Sequence, residues 1–176
     1  MKHLVLSILL VMTALVLSGC PGAKMKAPLT PDGKSYSLAV LCDRGITGDK
    51  TPAQIEQLNQ LGVWAERDLM WMLGRAGYNA RQINSRSEFN PSSGEYLLSV
   101  KVIKYNPGSK AARIMVGFGA GSCSLDRSYE LYGDGPKPLL SRDQGVSSSI
   151  DYSAVVQKLN QEMIDEVTRT FMVSGG

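Results

Sequence analysis

The stretch TPAQIEQLNQLGVWAERDLMWMLGRAG, residues 51–77, decides how the rest of the chain is read. Thr51 stands where an N-cap hydroxyl is needed. Pro52 takes the first helical position, where a missing N–H costs nothing, and Gln54 can return a hydrogen bond to the cap. Ile55, Leu58, Gly62, Ala65, Leu69, Met72 and Ala76 then recur at three- and four-residue spacing, the stripe of one helix face. Gly77 supplies the residue type that tolerates a left-handed helix end. The spacing predicts one long amphipathic helix over 52–76.

On both sides of this helix the period changes to that of strands. Residues 36–42 form a short apolar run, followed by a polar, glycine-containing loop over 43–50. Residues 78–83 read as a second strand and 84–94 as a surface loop. In 95–105, Tyr96, Leu98, Val100 and Val102 fall on one face, and Leu97, Ser99, Lys101 and Ile103 on the other. Residues 122–132 alternate again, with Cys123, Leu125, Tyr129 and Leu131 inward. A Gly133-Asp134-Gly135-Pro136 turn leads to a weaker strand over 137–146. A last helix starts near Ser149 or Asp151 and carries Val155, Leu159, Met163, Val167 and Phe171 on its stripe. The expected fold is α+β: a mixed sheet of about four to five strands with two long helices packed on it, in the order β-α-β-β-β-β-α. A three-layer α/β sandwich is the alternative.

The first residues are a targeting signal. Met1-Lys2-His3 is a short basic start, and residues 4–17 are apolar apart from Ser7 and Thr13. At about 21 Å as a helix, this run is too short for a bilayer core of roughly 30 Å. It ends in Leu17-Ser18-Gly19-Cys20, which resembles the lipobox of bacterial lipoproteins. The resemblance implies cleavage before Cys20, lipid on its thiol, and a membrane lipid partner. Pro21 follows in place of the aspartate that, in well-studied lipoproteins, retains them at the inner membrane. The expected location is therefore the outer membrane, facing the periplasm.

Residues 1–19 are thus a signal peptide, 20–34 the lipidated N-terminus and a flexible tether, and 35–173 one domain. Residues 21–34 hold three prolines, two glycines and three lysines, and would span roughly 45 Å when stretched. Lys24, Lys26 and Lys34 would add weak attraction to anionic lipid, and a purely solubilising linker is the other reading of the same composition.

Cleavage removes Lys2 and the one histidine, leaving 18 Lys+Arg against 16 Asp+Glu. A chain so near balance, without a basic run, has no nucleic-acid footprint. Without histidine the mature chain has no Ser-His or Cys-His pair and no histidine metal ligand, and no cofactor or metal is implied. The carboxylate pairs Asp165 with Glu166 and Asp126 with Glu130 read as solvated surface. Asp43 and Arg44, just past the first strand, form a candidate ligand loop, the place where open α/β sheets bind small molecules. Cys42 and Cys123 are either bridged or two buried free thiols.

Gly117-Phe118-Gly119-Ala120-Gly121 is the most unusual local sequence. Its spacing is not G-x-G-x-x-G and a strand pattern follows it, so Gly117, Gly119 and Gly121 read as structural glycines, not a phosphate cradle. With Ala111-Ala112-Arg113 before it and a strand, a turn, a strand and a helix after it, this motif is similar to a group of small bacterial lipoproteins of uncharacterised function. The order also resembles, at the level of fold, the curli secretion channel and the lipoprotein activators of peptidoglycan synthases.

Leu69-Met70-Trp71-Met72-Leu73 places large apolar side chains nearly all round the helix, and one sheet covers only one side. Either the 84–94 loop or the last helix covers the rest, or Trp64, Trp71 and Met70 are a contact surface. The function expected is that of a non-enzymatic envelope lipoprotein binding a protein partner or assembling as a homo-oligomer. The alternatives are a small-ligand-binding lipoprotein and a carboxylate-dependent hydrolase of envelope polymers.

Overall fold

The structure, a computed structural model, describes residues 24–108, 121–149 and 151–174. Its elements are β1 (Ser37–Asp43), α1 (Pro52–Ala76), β2 (Asn79–Ile83), β3 (Glu95–Asn106), β4 (Cys123–Tyr132), β5 (Leu140–Ser148) and α2 (Tyr152–Ser174), with two single 3-10 turns between β2 and β3. The capping box forms as the sequence requires: Gln54 N donates to Thr51 Oγ1 at 3.3 Å, and Thr51 N donates to Gln54 Oε1 at 2.9 Å. Gly77 ends α1 at φ 109°, its N–H bonded to Leu73 O and Gly74 O. Asp151 caps α2 through Ala154 N at 3.0 Å.

The five strands form one mixed sheet in the order β2-β1-β3-β4-β5. β1 runs parallel to both β2 and β3, while β3, β4 and β5 are antiparallel neighbours. The α1 crossover lets β1 and β2 pair in parallel, and the short connection over 133–139 lets β4 and β5 pair as antiparallel neighbours. Both helices pack on the same face. Leu38, Val40, Leu98, Val100, Tyr129 and Leu131 meet Leu69, Met72 and Leu73 of α1 and Met163, Ile164, Val167 and Phe171 of α2 in the main core. A second cluster joins Leu61 to Leu125, Val155, Val156 and Leu159. The architecture is therefore the α+β arrangement, with no helix layer on the opposite face among the described residues.

That opposite face is closed in part by the 84–94 loop, whose Phe89 packs on Ala39, Ile83 and Leu97. Arg81 fastens this side to Glu95 through two hydrogen bonds of 2.6 and 2.8 Å. Further along β3 the register shifts between Val102 and Lys104, the signature of a bulge. Ile103 is left exposed there, while Val102 and Tyr105 both pack on the second cluster. The simple alternation read for 95–105 holds only up to this bulge.

The tether is a correction. From residue 26 the chain is fastened to the end of α1: Ala27 N donates to Ala76 O at 2.9 Å and Lys26 Nζ to Arg75 O at 2.7 Å. Ala27 packs on the main core, and Leu29 bridges Ser35 after a turn closed by Thr30 and Lys34. The orphan carbonyls at the C-terminus of α1 need donors, and this segment supplies them. Composition reads as linker, but the helix end makes it structure.

Candidate functional site

The apolar run of α1 resolves into separate surroundings. Leu69, Met72 and Leu73 are buried. Met70 packs at the margin of the main core, and Trp64 packs on the second cluster with its ring edge-on to Tyr152 at 5.7 Å. The surface proposed from Trp64, Trp71 and Met70 is thus divided, because positions 100° apart along one helix face different neighbours. The last helix, not the 84–94 loop, covers the flank of α1. Trp71 alone of the three stays open, at 56% exposure, with the Arg75 guanidinium 4.8 Å from its ring centroid. It lines a shallow groove between α1 and α2 together with Lys24, Lys26, Met72, Arg75, Gln161 and Ile164.

The loop after β1 is committed to the fold. Arg44 donates Nε and Nη2 to the two carboxylate oxygens of Glu66 at 2.8 and 2.9 Å, and Nη1 to Asn59 Oδ1 at 3.0 Å. It lies against Gly62, where a Cβ would come within 2.5 Å of its Cδ. That contact explains a glycine in the middle of a long helix, otherwise unfavourable by about 1 kcal/mol. Asp43 accepts from Gly45 N at 2.9 Å and lies 3.7 Å from Lys101. Of the pair expected to receive a ligand, Arg44 instead clamps the loop after β1 to α1, and Asp43 holds its own loop and faces Lys101 of β3.

Cys42 and Cys123 are free thiols. Cys42 aligns through Val100 with Tyr129, six residues along β4 from Cys123. The two therefore stand about 20 Å apart along the strands and two strand spacings across, far beyond the roughly 7 Å a bridge allows. Burial, and then the Glu66 carboxylate, push the Cys42 thiol up to about 12. It stays protonated and is a poor nucleophile.

Gly117 and Gly119 lie outside the described residues. Gly121 has φ 69°, and a Cβ on Gly108, itself at φ 72°, would collide with the Gly121 carbonyl oxygen and, at 2.8 Å, with the Ser122 carbonyl carbon. These two glycines let the ends of β3 and β4 close on each other. Three of the four carboxylates paired in the sequence reading are taken up by neighbours: Glu166 by Arg142 and Arg169, Asp165 by Gln161, and Glu130 by Tyr132.

A model of the family described as a domain of unknown function, DUF4410, matches residues 49–170. The chain belongs to the DUF4410 family. Two crystal forms of the PelC dodecamer from Paraburkholderia phytofirmans share its fold. One, of a point variant, has a TM-score of 0.55 and 16% identity over 83% of this chain and 94% of that one. The other has a TM-score of 0.54 and 15% identity over 82% and 94%. The solution structure of uncharacterized lipoprotein B from Nitrosomonas europaea is more distant, at a TM-score of 0.37 and 11% identity over 89% and 93%. No curated protein matches.

The DUF4410 region runs from just before α1 to near the end of α2, so it holds Trp71 but not Lys24 or Lys26. It also holds a feature the sequence reading missed. Arg127 points inward between Leu125 and Tyr129 and is 3% exposed. Its Nη1 donates to Asn160 Oδ1 at 2.6 Å, and Asn160 Nδ2 donates to Asp68 Oδ2 at 2.8 Å. Nε and Nη2 have no partner among the described residues. Burial pulls the guanidinium down to about 10, still charged at neutral pH. Its place at the inward step of an alternating strand was the available signal. Among the described residues no group of three or more His, Cys, Asp or Glu is placed to hold a metal ion, and no helix is long and apolar enough to cross a membrane.

Proposed function

We propose that this protein is a lipid-anchored lipoprotein of the cell envelope, non-enzymatic, whose α+β domain assembles with copies of itself. The observation that carries the reading is the fold shared with PelC, solved as a dodecamer, on a chain whose Leu17-Ser18-Gly19-Cys20 resembles a lipobox. The topology supports it. Among the described residues β5 pairs with β4 alone, leaving an outer edge of backbone donors and acceptors for a neighbour. The chemistry argues against catalysis, since Cys42 is held as a thiol and Glu130, Asp165 and Glu166 sit in ion pairs and hydrogen bonds. A ligand loop at Asp43 and Arg44 is disfavoured, because Arg44 has given its donors to Glu66 and Asn59.

Two measurements test the two parts. Metabolic labelling with a fatty acid is expected to mark the wild-type chain and not Cys20→Ser, which lacks the thiol that carries lipid; label persisting on the serine variant removes the anchor. Native mass spectrometry of the detergent-extracted protein is expected to give a multiple of the protomer mass, which is the 19.1 kDa chain less residues 1–19 plus the lipid on Cys20. A monomer at every concentration removes the assembly.

A further inference from the structure

We propose that the outer surface of the helix pair around Trp71 docks onto the anionic headgroups of the membrane holding the Cys20 lipid. The proposal rests on that anchor and adds to it an orientation. Lys24, the first described residue, is four residues beyond Cys20, a reach of at most about 14 Å. From residue 26 the chain is fastened to α1 by Lys26 Nζ on Arg75 O and Ala27 N on Ala76 O. Lys24 itself lines the Trp71 groove. A lipid attached within that reach of a fixed point keeps the face beside the attachment point near the bilayer.

The chemistry of that face fits a headgroup layer. Trp71 is an exposed amphipathic ring, the side chain favoured at membrane interfaces. Around it lie Lys24, Lys26 and Arg75, with Arg67 at the rim beside Lys158, whose ammonium is 3.9 Å from Glu162. Asp68 is the one acid among the groove residues, and its carboxylate is bonded to Asn160. The mature chain as a whole is close to neutral, so this concentration of cations is local. Attraction to an anionic surface acts within about a Debye length, roughly 8 Å, and the short attachment brings these groups into that range. A second copy is the competing occupant. Pairing the same basic surface of two copies sets like charge against like, which disfavours it.

The test uses the full-length lipidated protein with Trp64→Phe, which leaves Trp71 as the one tryptophan. It is reconstituted into phosphatidylcholine vesicles, with and without phosphatidylglycerol, carrying acyl chains brominated near the headgroup. Flotation reads the anchor and fluorescence reads the docking. Trp71 emission is expected to shift to the blue, to be quenched by the brominated lipid and to be protected from iodide, more so with phosphatidylglycerol. Reversing Lys24 and Arg75 together to glutamate is expected to lower the docked-to-undocked ratio by on the order of tenfold or more. Lys158→Glu, an exposed change with no backbone role, gives a smaller drop in the same direction and guards against misfolding of the double variant. Protein that floats with Trp71 open to iodide and unquenched overturns the docking and leaves the anchor standing. Protein that does not float overturns both. Shielding that rises with protein concentration at fixed lipid, and ignores phosphatidylglycerol, assigns Trp71 to a second copy and overturns the proposal.

Discussion

Asn160→Leu is expected to lower the unfolding free energy by about 3–5 kcal/mol, among the largest effects of any single substitution in this chain. Arg127 is buried under α2 with one hydrogen-bond acceptor, Asn160 Oδ1, while its Nε and Nη2 find none among the described residues. Leucine removes that acceptor and also the Nδ2 donor that holds Asp68. The guanidinium is then left without its one acceptor, in surroundings too dry to replace it, while Asp68, which lines the open groove, can turn to water. Arg127→Met in the same background takes away the charge that needed solvation, so the double variant should recover most of the loss. Urea denaturation of the four proteins of this cycle gives the coupling directly. If Asn160→Leu falls within about 1 kcal/mol of the parent, the guanidinium is solvated by another route and the network is not needed for stability.

Gly108→Val is expected to cost on the order of 3 kcal/mol, or roughly 10 °C in melting temperature. Two effects act together at this residue. Its φ of 72° is one that β-branched residues avoid, and its missing Cβ leaves room for the Gly121 carbonyl and the backbone of Ser122 and Cys123. Those neighbours are backbone atoms and cannot swing aside. Gly33→Val separates the two terms, since Gly33 has φ 79° but nothing within 4 Å of the position a Cβ would take. Equal melting temperatures for the two variants would show that left-handed strain alone is felt and that the close approach is relieved by a small backbone shift.

The bounds of α1 were legible to the residue because its signals are local: an N-cap, a proline, a capping glutamine and a terminal glycine all act within a few positions of the helix they limit. The inward face of β4 was legible for the same kind of reason, since alternation is a property of one strand. The bulge in β3 was not. It is a mismatch between two strands, and neither carries it alone. Arg127 was passed over as one polar step in an apolar alternation, although that break in pattern was itself the trace of a buried charge. The tether reading failed from residue 26 onward because prolines and lysines describe what a segment costs to order, not whether a helix end nearby needs its donors.

The sequence by itself determined the elements and their order, and, through the lipobox pattern, the expectation of an anchor at Cys20. These follow from short-range spacing and from the chemistry of single residues. Only the tertiary structure decided which apolar side chains of α1 face protein and which face solvent, because that depends on where α2 comes to rest against it. It separated Trp71 from Trp64 and Met70, gave Arg44 to Glu66 instead of a ligand, and put Cys42 and Cys123 too far apart to join. It also brought Lys24 and Lys26 beside Trp71, residues almost fifty positions apart in the chain. Contacts of that range are set by how the layers pack, and no local period in the sequence records them.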